Sequence, residues 1–111
     1  AVRMAEVYRK EYAIAECPSD IDSPTVLAAQ TANELLDISG IKASFVLTVY
    51  EGKIYLSARS IDEVNVQIIA EKLGGGGHIN SAGAQFDHTN VQEAISMLKE
   101  TIDQMIEEGD I

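Results

Sequence analysis

The apolar and polar positions fall into stretches of period two and stretches of period 3.6. Tyr12–Cys17 is a short, mainly apolar run closed by Pro18, which reads as a strand. Ala28, Ala32, Leu35 and Leu36 then recur at helical spacing, with Ser23 as N-cap, Pro24 at the first helical position and Gly40 as the stop. From Ile41 to Tyr50 the chain is extended, with Ala43, Phe45, Leu47 and Val49 on one face. Glu51-Gly52 makes a turn, and Lys53 to Arg59 returns as the second strand of a hairpin at the centre of a sheet. On that strand Ile54, Leu56 and Ala58 face one way, while Tyr55, Ser57 and Arg59 face the other.

Val64, Ile68, Ile69 and Leu73 mark the apolar face of a second helix, predicted to begin at Ser60-Ile61-Asp62-Glu63. Ser60 with Glu63 would form a capping box there, and Asp62 is a competing cap. After four glycines, Asn80–Phe86 alternates as a strand with almost no side-chain bulk before Gln85. Asn90 and Glu93 open a last helix whose stripe is Val91, Ala94, Ile95, Leu98, Ile102 and Ile106, with Met97 and Met105 as core filling. Ala1–Lys10 alternates apolar and basic groups and suits a short helix or a linker. Residues 1–11 are therefore set apart from a domain spanning 12–111. The order strand, helix, hairpin, helix, strand, helix predicts a single α/β domain: a mixed sheet of about four to five strands with helices packed on it.

Composition narrows the functional classes. A chain of 111 residues, 46% apolar, supports one modest core. No apolar run is long or pure enough to span a bilayer, and no signal peptide is visible. The chain opens on Ala1 rather than Met, as a segment of a longer protein would. One cysteine, Cys17, excludes an internal disulfide and a cysteine-cluster metal site, and suits a buried, inert thiol in a cytoplasmic protein. Eight basic against eighteen acidic residues give −10, which opposes the tracking of a long nucleic acid across the surface. The acid is concentrated at Glu93, Glu100, Asp103, Glu107, Glu108 and Asp110, the solvated face of the last helix. Between Gly40 and Gly74, Lys42, Lys53, Arg59 and Lys72 balance Glu51, Asp62, Glu63 and Glu71, so a small anion can be held there.

The chemistry centres on Gly74-Gly75-Gly76-Gly77-His78. One left-handed glycine suffices to end a helix. Each further glycine forfeits roughly 0.5–1 kcal/mol against alanine in a regular element. A loop whose bare N–H groups approach a ligand, with His78 at its edge, accounts for that cost, as does a side-chain-free crossing against a neighbouring strand. The P-loop is excluded, because no Lys-Ser or Lys-Thr follows. The dinucleotide fingerprint fails as well, since Ile79 or Asn80 stands where its last glycine belongs. Arg59 ends its strand beside the hydroxyl of Ser57, where its planar fork suits a phosphate and equally suits a surface acid. Asn65 is an amide near a helix start, serving an anion or simply a cap.

Ser57-Ala58-Arg59-Ser60, Asn65-Val66, Ile69-Ala70, the glycine run with His78, and Ala82-Gly83 together resemble the DHH-associated domain, the C-terminal domain of DHH-family phosphoesterases. The likeness covers about Tyr12 to Ile106. Asn80 and Gln85 after the glycines make it most similar to the membrane-anchored cyclic-di-AMP phosphodiesterases of Gram-positive bacteria. The resemblance implies a partner domain in the same polypeptide that carries Asp-His-His and two metal ions, typically manganese, which activate water. This chain lacks that motif and has two histidines, His78 and His88, so alone it is expected to be inactive. Its implied task is recognition of a cyclic or linear dinucleotide. Arg59 and Ser57 would meet a phosphate or base, Gly75–Gly77 N–H groups a phosphate, and His78 the phosphate near the metals; Gly74 and Asn65 complete the set. The alternatives are the nucleic-acid accessory domain of an exonuclease, oligoribonuclease or alanyl-tRNA synthetase, and a non-catalytic interaction module. Whether two copies form a homodimer is left open.

Overall fold

A computed structural model describes residues 4–17, 24–61, 64–87 and 89–109. Its strands are β1 (Met4–Tyr8), β2 (Tyr12–Cys17), β3 (Ala43–Tyr50), β4 (Lys53–Ser60), β5 (Gly76–His78) and β6 (Ser81–Phe86). Its helices are α1 (Pro24–Leu36), α2 (Val66–Lys72) and α3 (Val91–Glu108). The strands make one mixed sheet in the order β1-β2-β3-β4-β6-β5. Among the described residues only β2 and β3 pair in parallel, which demands a crossover, and α1 supplies it. The β3–β4 hairpin occupies the two central positions, as the alternation predicts.

The two faces of the sheet are covered unequally. Phe45 and Leu47 of β3, with Ile54, Leu56 and Ala58 of β4, pack against α2 and α3 in the larger core. Phe45 is fully buried, a position where truncation to alanine costs about 3–5 kcal/mol. On the other face Ala15, Cys17 and Val46 meet Ala28 and Ala32 of α1 in a smaller cluster. Cys17 is buried and free, its Sγ 3.7 Å from Thr31 Oγ1. The helix α1 lies over β3 and β4, so β6 and β5 are open to solvent on its side.

Several expectations are corrected. The described residues form a sheet of six strands rather than four or five. Met4–Tyr8, expected as a short helix or linker, is the edge strand β1. Its period-two alternation turns Glu6 and Tyr8 toward α3: Lys99 Nζ lies 2.9 Å from Glu6, and the Tyr8 hydroxyl donates to Asp103 at 2.9 Å. Arg9 Nε also bonds Asp103 at 2.7 Å, so this acid of the helix face is paired, as is Glu108 with Lys72. Ser60 does not start a helix. It ends β4, and its Oγ donates to Val64 carbonyl oxygen at 2.6 Å and accepts from Asn80 Nδ2 at 2.9 Å. The helix begins at Val66, capped by Asn65, whose Oδ1 accepts from the Ile68 N–H at 3.2 Å. In α3 the cap is as predicted, Asn90 Oδ1 accepting from Glu93 N–H at 2.8 Å. Met105 is buried, but Met97 falls on the outer face and is 42% exposed, so it does not fill the core. Pro18, the Ser23 cap, the Asp62 and Glu63 caps, His88 and Asp110 lie outside the described residues.

Candidate ligand cleft

Where α1 stops short of β6 and β5, a cleft of about 600 Å³ opens on that face of the sheet. Its floor is β4, β6 and β5, its far rim is Gly74–Gly77, and α1 contributes Ala29. The register dictates what faces into it, because residues directly opposite on antiparallel strands share a face. Arg59 lies opposite Ser81, and Ser81 lies opposite His78. One row thus carries a guanidinium, a hydroxyl and an imidazole across three strands. Neighbouring strands lie about 4.8 Å apart, so Arg59 and His78 are separated by about 10 Å of backbone. The next row is Ser57, Gly83 and Gly76. It presents one small hydroxyl and two bare backbones.

The four glycines do different things. Leu73 closes α2, and Gly74 follows it at φ +91°, the left-handed turn that ends the helix. At Gly75 a Cβ would stand 2.0 Å from the Gly83 carbonyl oxygen, and at Gly77 2.5 Å from Ala82 Cα. Those two are bare because β6 passes too close for a side chain. Gly76 differs: a Cβ there would meet nothing within 4 Å, and it turns toward the cleft in the Ser57 row. The run therefore combines a helix stop, a close strand crossing and one open position.

Arg59 is half-buried, and its Nη1 donates to the carbonyl oxygen of Ala58 at 2.8 Å. Among the described residues no carboxylate pairs with it, so the surface-acid reading of this arginine finds no partner there. Two other bases of that stretch are engaged elsewhere, Lys42 with Glu11 at 3.9 Å and Lys72 with Glu108 at 3.6 Å. Among the described residues, Arg59 is the charged side chain of the cleft lining.

Of the residues singled out in the sequence, Ser57, Arg59, Gly74, Gly75, Gly76 and Gly77 come together in the lining. His78 is exposed at the end of β5, in the Arg59 row but outside the lining. Asn65 stands apart, at the start of α2 behind the sheet, with its oxygen committed to the cap. Tyr55, Ser81, Gly83 and Gln85 are also in the lining; none was named from the sequence as a ligand contact, although Gly83 and Gln85 belong to the family resemblance. Tyr55 carried a signal, since it alternates onto the face of Ser57 and Arg59. In β6 the signal was the small side chains before Gln85, which suit a strand that another backbone or a ligand approaches closely. Among the described residues no group of three or more His, Cys, Asp or Glu is placed to hold a metal ion. Nor is any helix among them long and apolar enough to cross a membrane.

Comparison with known proteins places these features in context. The DHHA1 domain family matches residues 10–104. The cyclic-di-AMP phosphodiesterase PdeA of Listeria monocytogenes is 43% identical over 103 residues, covering 92% of this chain and 16% of that protein. The cyclic-di-AMP phosphodiesterase GdpP of Geobacillus thermodenitrificans is 49% identical over 85 residues, 76% of this chain and 13% of that protein. The chain thus spans less than a fifth of either relative. Among solved structures, an exopolyphosphatase-related protein from Bacteroides fragilis superposes with a TM-score of 0.77 at 21% identity. It is matched over 91% of this chain and 31% of that one, a likeness of fold.

Proposed function

The chain belongs to the DHHA1 domain family, and on that premise we propose that its cleft is the substrate-recognition half of a phosphodiesterase acting on a cyclic or linear dinucleotide. The observation that carries the reading is the pair of adjacent rows, Arg59–Ser81–His78 and Ser57–Gly83–Gly76, on one open face of the sheet. A phosphate seated over them meets the Arg59 fork, two hydroxyls and a backbone that no Cβ shields at Gly76. The relatives named as cyclic-di-AMP phosphodiesterases support that ligand class. One cationic side chain among the described residues of the cleft, in a chain of charge −10, suits a ligand of few phosphates better than a long polyanion.

The described residues do not fit a metal centre, so no hydrolytic step is assigned to them. In this reading the metal ions, manganese by the resemblance, belong to an Asp-His-His domain of the same polypeptide. This chain binds the dinucleotide, and His78 donates to the phosphate that faces that domain. Closing the two together fixes the phosphate for attack, the orientation share of catalysis. The parent is proposed to be membrane-anchored, with this domain on the cytoplasmic side.

A nitrogen–proton NMR titration with cyclic-di-AMP, its linear product and a short RNA tests the proposal. Shifts confined to Ser57, Arg59 and Gly74–His78, strongest with a dinucleotide and weakly dependent on salt, are the expected result. Silence at millimolar ligand, repeated with the catalytic domain joined to the chain, refutes it.

A further inference from the structure

The cleft floor has a third cross-strand pair, Tyr55 with Gln85, for which phosphate binding has no use. Tyr55 shares the face of Ser57 and Arg59, two and four residues along β4. The strand rise of about 3.3 Å per residue sets it about 13 Å from Arg59. Ser57 and Gly83 lie between, a small hydroxyl and a bare backbone that leave a low stretch of floor for a sugar. The cleft is therefore polarised. Its Arg59 end is cationic, and its Tyr55 end is an uncharged aromatic ring, half-buried, with an amide beside it.

The amide is oriented. Gln85 Nε2 donates to Asp87 Oδ1 at 3.0 Å. A carboxylate can only accept, so the nitrogen must be the atom turned to Asp87. That leaves one N–H and the carbonyl oxygen of Gln85 for a ligand, a donor beside an acceptor. Nucleobase edges that carry an acceptor next to a donor complement this pair, as adenine does with glutamine. The π face of Tyr55 supplies the stacking that such a base also seeks.

We propose that Tyr55 and Gln85 form a nucleobase subsite: a purine stacks on the Tyr55 ring and pairs its edge with the Gln85 amide. Its sugar–phosphate runs along β4 toward Arg59. The subsite rests on the phosphate-binding reading of the same cleft and adds to it the reason why a nucleotide, rather than any phosphodiester, is held.

Calorimetric titration with a linear adenine dinucleotide and with its abasic sugar–phosphate counterpart tests the subsite. The chain is expected to bind the dinucleotide more tightly by about 5- to 150-fold, the range that one lost base–aromatic stack covers. Tyr55→Leu should remove that preference and leave abasic binding unchanged, while Tyr55→Phe restores it. Gln85→Ala, at an exposed position that leaves the fold intact, should weaken the dinucleotide and flatten the ranking among bases. Equal binding of the two ligands, or full dinucleotide affinity in both Tyr55→Leu and Gln85→Ala, overturns the subsite alone. Failure of both ligands to bind, repeated with the catalytic domain joined to the chain, overturns the phosphate reading and the subsite with it.

Discussion

Replacing the glycines of the 75–77 run one at a time by alanine separates architecture from ligand contact. At Gly75 the new methyl would stand 2.0 Å from the Gly83 carbonyl oxygen and 2.6 Å from Ala84 Cα. At Gly77 it would stand 2.5 Å from Ala82 Cα and 2.6 Å from the Ser81 carbonyl oxygen, at a φ of +146°. These are backbone atoms of β6, which is hydrogen-bonded to β4 on its other side, so β6 cannot yield as the tip of a flexible side chain would. The edge strand β5 must move instead. Overpacking of this kind costs about 1–3 kcal/mol, which is the loss expected for Gly75→Ala. Gly77→Ala adds the strain of a backbone region that side chains rarely enter, for a total of about 2–6 kcal/mol. Peeling of the short β5 from the sheet sets an upper limit on both.

Gly76 is the contrast. Nothing lies within 4 Å of the point a methyl would occupy there, and its φ is outside the left-handed region. Gly76→Ala should therefore hold or gain about 0.4–1 kcal/mol by restricting the unfolded chain. Its methyl nevertheless enters the cleft in the row of Ser57 and Gly83, where it would displace one hydrogen bond to ligand, about a tenfold loss of affinity. Urea denaturation followed by circular dichroism reads the first quantity, and calorimetric titration with a dinucleotide reads the second. A Gly75→Ala variant as stable as the parent would refute the packing argument. Undiminished dinucleotide affinity in Gly76→Ala would remove that row from the binding floor.

Three further outcomes are expected. Asn65→Ala loses the α2 cap and should destabilise the fold by about 0.5–2 kcal/mol with dinucleotide affinity unchanged; paired urea and titration data decide whether the residue serves the helix or the ligand. Thr48 Oγ1 is buried without a hydrogen-bond partner among the described residues, so the near-isosteric Thr48→Val should raise stability by about 1 kcal/mol in the same denaturation assay. Desolvation pushes the Asp103 carboxyl up, but the Tyr8 and Arg9 hydrogen bonds and the Arg9 and Lys99 charges outweigh it and hold the group below its ordinary 3.8. A depressed folded value stabilises above the ordinary one and is lost as pH falls through the folded one. Denaturation of the parent and Asp103→Asn between pH 7 and pH 2 should therefore show a gap that is full above about pH 4–5 and closes on acidification; a gap independent of pH would exclude the carboxylate as its source.

Most elements were legible in the sequence, because hydrophobic period is a local property. The apolar run of Tyr12–Cys17, the alternation of Lys53–Arg59 and the stripe of α3 each follow from which residues must leave water. The family was legible too, since its motif is a linear arrangement of residues. Local signals misled where two chemistries share one residue type. Ser60 had the look of a cap, yet its hydroxyl ties the end of β4 to Val64 and Asn80, and Asn65 took the capping role. The alternation of β1 was visible, but an edge strand needs a neighbour, and only the folded chain brings β2 and α3 to it.

The site divides the same way. Sequence alone determined that Arg59, Ser57 and a run of bare backbone exist, and at what spacing. Tertiary structure decided that β6 inserts beside β4 and that α1 leaves β6 and β5 uncovered. It thereby assigned packing to Gly75 and Gly77, open space to Gly76, and a place in the cleft to Tyr55 and Gln85. The reason is that strand order and register depend on how whole surfaces bury against one another, and no window of neighbouring residues contains that information.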